Sequence, residues 1–130
     1  MGEEGRTDNT DIEFVTDENL IGRWGYVDFI ERIEGFDSDH ISWQGERYLK
    51  TLEFQPDGSM TTGTESAELL PTVLRWTEGF VLNEVEKTCS AYRIKNIGGT
   101  DYLFFEWKSG DYTLRGMDPW FYVFKKEGEI

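Results

Sequence analysis

About eight short runs in which apolar and polar residues alternate, divided by Gly, Pro, Asn and Asp, constrain this chain more than any other feature. Alternation with period two marks a strand with one face buried. The first run, residues 20–30, is long; residues 48–54 form the next, after an acidic stretch at 31–45 that reads as a loop with one helical turn. Gln55-Pro56-Asp57-Gly58 makes a reversal, because Pro presets one turn angle and Gly accepts a positive one, and residues 59–62 return. Further runs cover 72–82, 88–94, 102–107, 112–115 and 119–125, with turns at 83–87, Asn96-Ile97-Gly98-Gly99 and Ser109-Gly110-Asp111. Short strands joined mostly by short turns predict an all-β fold, an antiparallel up-and-down barrel of about eight strands. Closure removes the two edges that an open sheet exposes.

The 130 residues suffice for one hydrophobic core. Residues 1–17 read as a disordered acidic leader, 18–126 as the barrel domain and 127–130 as a tail. Nine Phe, six Tyr and five Trp suit pleated surfaces, and they also promise to fill much of an eight-stranded interior, which is barely wide enough for one small ligand. A net charge of -13 argues against a nucleic-acid partner and against anionic membrane surfaces. Cys89 is the sole cysteine, which excludes an internal disulfide and a Cys-based zinc site. No apolar run has the length of a membrane span, and the N-terminus lacks the regions of a secretory signal, so direct membrane insertion is not expected. The chain as given reads as soluble, its compartment open, and a place within a membrane-tethered protein fits equally.

Strand parity selects candidate site residues. If Trp24 points inward, so do Tyr26, Asp28 and Ile30; Glu78 shares parity with Trp76, Phe80 and Leu82, while Glu106 opposes Leu103, Phe105 and Trp107 and so faces outward unless a bulge intervenes. The aromatic set Trp24, Tyr26, Phe54, Trp76, Phe80, Tyr92, Phe105, Trp107 and Tyr112 either lines an apolar pocket or forms the core. Asp28 and Glu78 either orient a ligand, act as an acid and base pair, or serve as polar plugs paired with Arg23, Arg75, Arg93 or Arg115; a buried charge normally needs a partner, which favours the plugs. The acidic group Asp28, Glu31, Glu34, Asp37 and Asp39 does not match an EF-hand spacing. His40 has Ser38, Asp39 and Ser42 close in sequence, but no nucleophile elbow or oxyanion signal accompanies them.

Gly22-Arg23-Trp24 resembles the Gly-x-Trp signature on the first strand of lipocalins and the wider calycin group, and Thr100-Asp101-Tyr102 resembles their second signature. The resemblance implies that Trp24 closes one barrel end under a basic residue from a late strand, a cation-π role that Arg115 would fill. The chain departs from that pattern in its strong run after Arg115 and in lacking the lipocalin disulfide. A second resemblance rests on Val27-Asp28-Phe29, Trp43-Gln44-Gly45-Glu46, Trp76-Thr77-Glu78-Gly79, the run from Phe105 to Tyr112, and Arg115-Gly116-Met117. These look like an uncharacterised domain of Firmicutes that occurs alone or at the C-terminal end of BlaR-type membrane peptidase homologues. Such kinship implies a sensory, ligand-binding or regulatory accessory module and assigns no reaction. No His-Glu-x-x-His motif occurs in the chain.

The expectation is therefore a lipocalin-like module, not an enzyme, without metal or cofactor, binding a small apolar or amphipathic ligand. Tyr26, Asp28, Trp76, Glu78, Phe80, Phe105, Trp107 and Tyr112 would form the site, and Trp24 with Arg115 would close the barrel. A packed barrel that serves a protein partner is the alternative, and an enzyme using inward carboxylates is the third reading.

Overall fold

The computed structural model describes residues 8, 10–37, 39, 49–64, 74–83, 87–108 and 118–128. They form eight antiparallel strands: β1 (Gly22–Ile30), β2 (Leu49–Phe54), β3 (Met60–Thr64), β4 (Leu74–Thr77), β5 (Phe80–Asn83), β6 (Thr88–Ile97), β7 (Thr100–Trp107) and β8 (Trp120–Gly128). The order across the sheet is β3-β2-β1-β8-β7-β6-β5-β4, so every neighbour is adjacent in sequence except β1 and β8, which bring the two ends of the meander together. The barrel is nearly closed where β3 meets β4. There the ladder shrinks to one bridge, Ser59 with Arg75, beside a hydrogen bond from the Trp76 amide to the Gly58 carbonyl at 2.9 Å. Among the described residues, no helix is long and apolar enough to cross a membrane.

Two departures from simple alternation decide which residues face inward. In β1, Tyr26 pairs with Phe124 and Asp28 with Val123, which leaves Val27 as the extra residue of a bulge. A bulge reverses parity beyond it. Trp24, Tyr26 and Phe29 therefore belong to the interior core, whereas Ile30 joins an outer cluster with Tyr102, Phe104 and Val123. A short 3-10 turn at Ile33–Gly35 lies in the 31–45 stretch, and Ile33 and Phe36 pack on that outer cluster, with the Phe36 ring 5.0 Å from Tyr102 and 5.4 Å from Phe104.

The second departure divides the expected strand at 72–82. Glu78-Gly79 is a two-residue turn between β4 and β5, with Gly79 at a φ of +91° that a side-chain-bearing residue adopts only with strain. The Gln55–Gly58 reversal forms as its residues dictate: the Gly58 amide bonds to Gln55 and the Gln55 amide to Ser59. Ser59 donates both its amide and its hydroxyl to Asp57, which holds that carboxyl below the usual aspartate value.

Candidate functional site

One end of the barrel is built around Trp24. Its ring is fully buried and its indole N–H donates to the Leu20 carbonyl at 2.8 Å, which satisfies the one polar atom of the ring. Gly22, two residues earlier, has a φ of +135°, and a Cβ there would lie 2.6 Å from the Gly128 carbonyl oxygen, so both the conformation and the approach of β8 demand glycine. A cation does stand over Trp24: Lys126 of β8 places its Nζ 5.0 Å from the ring centroid and donates to the Ile21 carbonyl at 2.8 Å. Arg115 lies outside the described residues, as do Tyr112 and His40.

The remaining expected site residues occupy different settings. Trp76 is fully buried, edge-on to Phe14 and Phe54, and its indole N–H is shared between the carbonyls of Gln55 and Ser59. This ring thereby staples the β2–β3 turn to β4. Phe105 is buried in the interior core, with Tyr26 and Trp107 packed against the same cluster. Trp107 meets Tyr122 edge-on at 5.3 Å. Asp28 is fully buried but stands opposite Val123, on the side of the outer cluster, and its Oδ1 accepts the Phe29 amide at 2.8 Å. Glu78 is exposed in its turn, and Phe80 is 37% exposed. The bulge at Val27 and the turn at Glu78-Gly79 thus remove both carboxylates from the interior that uniform alternation would assign them. The side chains inside, Trp24, Leu52, Phe54, Trp76, Phe105 and Phe124, are in one packed cluster.

Polar organisation is concentrated where the sheet divides. The first half of β6 pairs with β5 and the second half with β7, whose ladder ends at Tyr92 with Phe105. Beyond that point the β6 backbone groups facing β7 need other partners, since buried N–H and C=O groups are costly to leave unmatched. Side chains supply them. Glu106 Oε1 accepts the Ala91 amide at 2.8 Å, Asp8 Oδ2 accepts the Cys89 amide at 2.8 Å, and Lys108 Nζ donates to the Cys89 carbonyl at 2.8 Å. Lys108 also sits 3.0 Å from Asp8 and 3.7 Å from Glu106. Burial pushes the Cys89 thiol above its ordinary value, with Lys108 opposing the shift.

Asp8 belongs to the leader, whose described residues lie against the barrel. Its amide bonds to the Lys87 carbonyl at 2.7 Å; Arg75 donates to the carbonyls of Thr10 and Ile12; the Thr77 hydroxyl contacts Glu13, Val15 and the Val15 amide; and the Glu78 amide reaches the Val15 carbonyl. Tyr92 donates its hydroxyl to Asp17 at 2.6 Å. Burial, reinforced by that carboxylate, pushes the Tyr92 phenol well above its ordinary value.

Beside the start of β8 lies a cleft of about 450 Å3 lined by Glu31, Arg32, Glu106, Lys108, Asp118, Pro119, Trp120 and Phe121. Its platform is Trp120, 43% exposed and stacked on Phe29 with centroids 5.5 Å apart and planes inclined by 24°. Phe29 in turn packs on Tyr122 at 4.8 Å, so the exposed indole rests on the rigid core. A smaller hollow of about 230 Å3 lies between Phe14 and the Asp57–Ser59 turn. Parity reasoning missed this cleft because its lining mixes both faces of the strands, Trp120 alternating with Phe121 and its partner Glu106, while bulge and loop bring Glu31 and Arg32 beside β7 and β8. The signal available was the aromatic run at 120–124, whose length exceeds what one interior face can hold.

Among the described residues, no group of three or more His, Cys, Asp or Glu side chains is placed to hold a metal ion. No known family model, curated protein or solved structure matches the chain.

Proposed function

We propose that this barrel is a non-catalytic binding module, lipocalin-like in architecture, which takes a small amphipathic ligand in the cleft beside β8 and serves as a sensory or regulatory accessory domain. The observation that carries this reading is the cleft of about 450 Å3 beside β8, with a 43% exposed indole at its edge stacked on Phe29. That volume lies within the range of small-molecule sites, roughly 300–1,000 Å3. Trp120 offers an apolar platform, Arg32 and Lys108 suit a carboxylate, and Glu31 and Asp118 suit an ammonium. A zwitterion with an apolar body, such as an α-amino acid with an aromatic or aliphatic side chain, presents all three features.

Calorimetric titration tests the reading with L-phenylalanine, with 3-phenylpropionate, which lacks the ammonium, and with L-phenylalaninamide, which lacks the carboxylate. L-Phenylalanine is expected to bind more tightly than either analogue and to lose about tenfold in affinity, near 1.4 kcal/mol, in Trp120→Ala. Absence of binding by all three, or binding indifferent to Trp120→Ala, overturns it. A second reading, docking of a protein partner, is favoured by Phe14, Val15 and Phe80, which are 40%, 50% and 37% exposed near the Val15 to Glu78 hydrogen bond.

A further inference from the structure

We infer that Lys108 couples the cleft to the N-terminal leader, so that a carboxylate bound in the cleft draws Lys108 away from Asp8 and loosens the leader, while a docked leader weakens the ligand. The inference rests on the cleft being the binding site. Lys108 lines that cleft, yet its ammonium is already engaged 3.0 Å from Asp8 Oδ2 and 2.8 Å from the Cys89 carbonyl. Two of the three ammonium donors go to Asp8 and the Cys89 carbonyl and a second carboxylate, Glu106, lies 3.7 Å away, so a ligand carboxylate that reaches Lys108 competes with Asp8 for its positive charge. The competition is consequential because the ion pair is mostly out of water, with side-chain exposures of 12% for Lys108 and 19% for Asp8. Glu106 ties the two places together as well, since it lines the cleft, lies 3.7 Å from Lys108 and accepts the Ala91 amide.

The leader has two kinds of attachment, and only one involves Lys108. From Thr10 to Val15 it is held by Arg75 and Thr77 through main-chain carbonyls and the Val15 amide. At Asp8 it is held by the carboxylate bonds to Lys108 and to the Cys89 amide, together with the Lys87 carbonyl. Loss of Lys108 therefore frees the segment around Asp8 and exposes Cys89, while the stretch from 12 to 17 stays docked. Because coupling between two binding events is reciprocal, the factor by which the ligand loosens Asp8 equals the factor by which Asp8 weakens the ligand.

Cys89 serves as the reporter. Hydrogen exchange at its amide and the rate of its thiol with Ellman's reagent are measured on the full chain, with and without saturating L-phenylalanine, in wild type, Asp8→Asn, and Glu18→Gln as a control of equal charge change. Asp8→Asn is expected to raise both rates and to tighten L-phenylalanine binding, each by at least ~5-fold, while Glu18→Gln changes neither. L-Phenylalanine should raise both rates in wild type and have no further effect in Asp8→Asn. Binding of equal affinity in wild type and Asp8→Asn overturns the coupling and leaves the cleft standing. Failure of L-phenylalanine to bind either protein, with Cys89 still released by Asp8→Asn, overturns both.

Discussion

The barrel is closed by different means on its two sides. Between β1 and β8 the backbone ladder runs the length of both strands, interrupted only by bulges, and rings such as Trp24, Phe124 and Tyr122 pack beneath it. Around β4 and the first half of β6, by contrast, the ladder among the described residues is reduced to the single Ser59 to Arg75 bridge and stops past Tyr92, where side chains of Asp8, Glu106 and Lys108 bond the strand backbone instead. A ladder has one low-energy arrangement, whereas a seam made of ion pairs and a docked leader can exchange partners. The ladder side carries the platform of the cleft, and the side-chain seam is where the proposed coupling of cleft and leader would act.

The largest blow to this contrast is Trp24→Ala, which removes a fully buried ring from the ladder side and is expected to cost about 3–5 kcal/mol in urea unfolding. Arg75→Met tests the other side. It deprives the Thr10 and Ile12 carbonyls of their donor and should cost about 1–2 kcal/mol, with faster proteolysis confined to the leader and unchanged exchange in β1 and β8. Equal loosening of both sides in Arg75→Met would remove the distinction. The smallest effect is that of Tyr92→Phe, about 0.5–1.5 kcal/mol at neutral pH through loss of the bond to Asp17.

Its pH dependence has a definite sign. The folded phenol is raised above its ordinary value of 10.0, so its contribution is complete below that pH and declines as pH climbs toward the raised value. Wild type should thus lose stability more steeply than Tyr92→Phe above about pH 10. Parallel curves would show that the half-buried phenol contributes nothing.

The features legible in the sequence were those with a single local cause. Trp24 announces an inward ring at the head of the first strand, and Gln55-Pro56-Asp57-Gly58 announces its own reversal. The count of eight agrees with the expected number, although the members differ: the strand expected at 112–115 lies outside the described residues, and the run at 72–82 proved to be a hairpin, because Trp76 to Phe80 satisfies strand parity and turn chemistry equally and only the positive φ of Gly79 decides. The bulge at Val27 carried no such mark: Asp28 alternates perfectly with Trp24, and the register is set by β8, nearly a hundred residues away. The leader was least legible. Its composition is that of a tail, and what docks it is mainly its carbonyls, its amides and two carboxylates, which composition does not weigh.

The most direct test is a 1H–15N spectrum of the tryptophan indoles during titration with L-phenylalanine. The account predicts that the Trp120 indole shifts while those of Trp24 and Trp76, each held to a backbone carbonyl inside the barrel, stay in place. Shifts at Trp24 and Trp76 with Trp120 unmoved would put the ligand in the interior and contradict it.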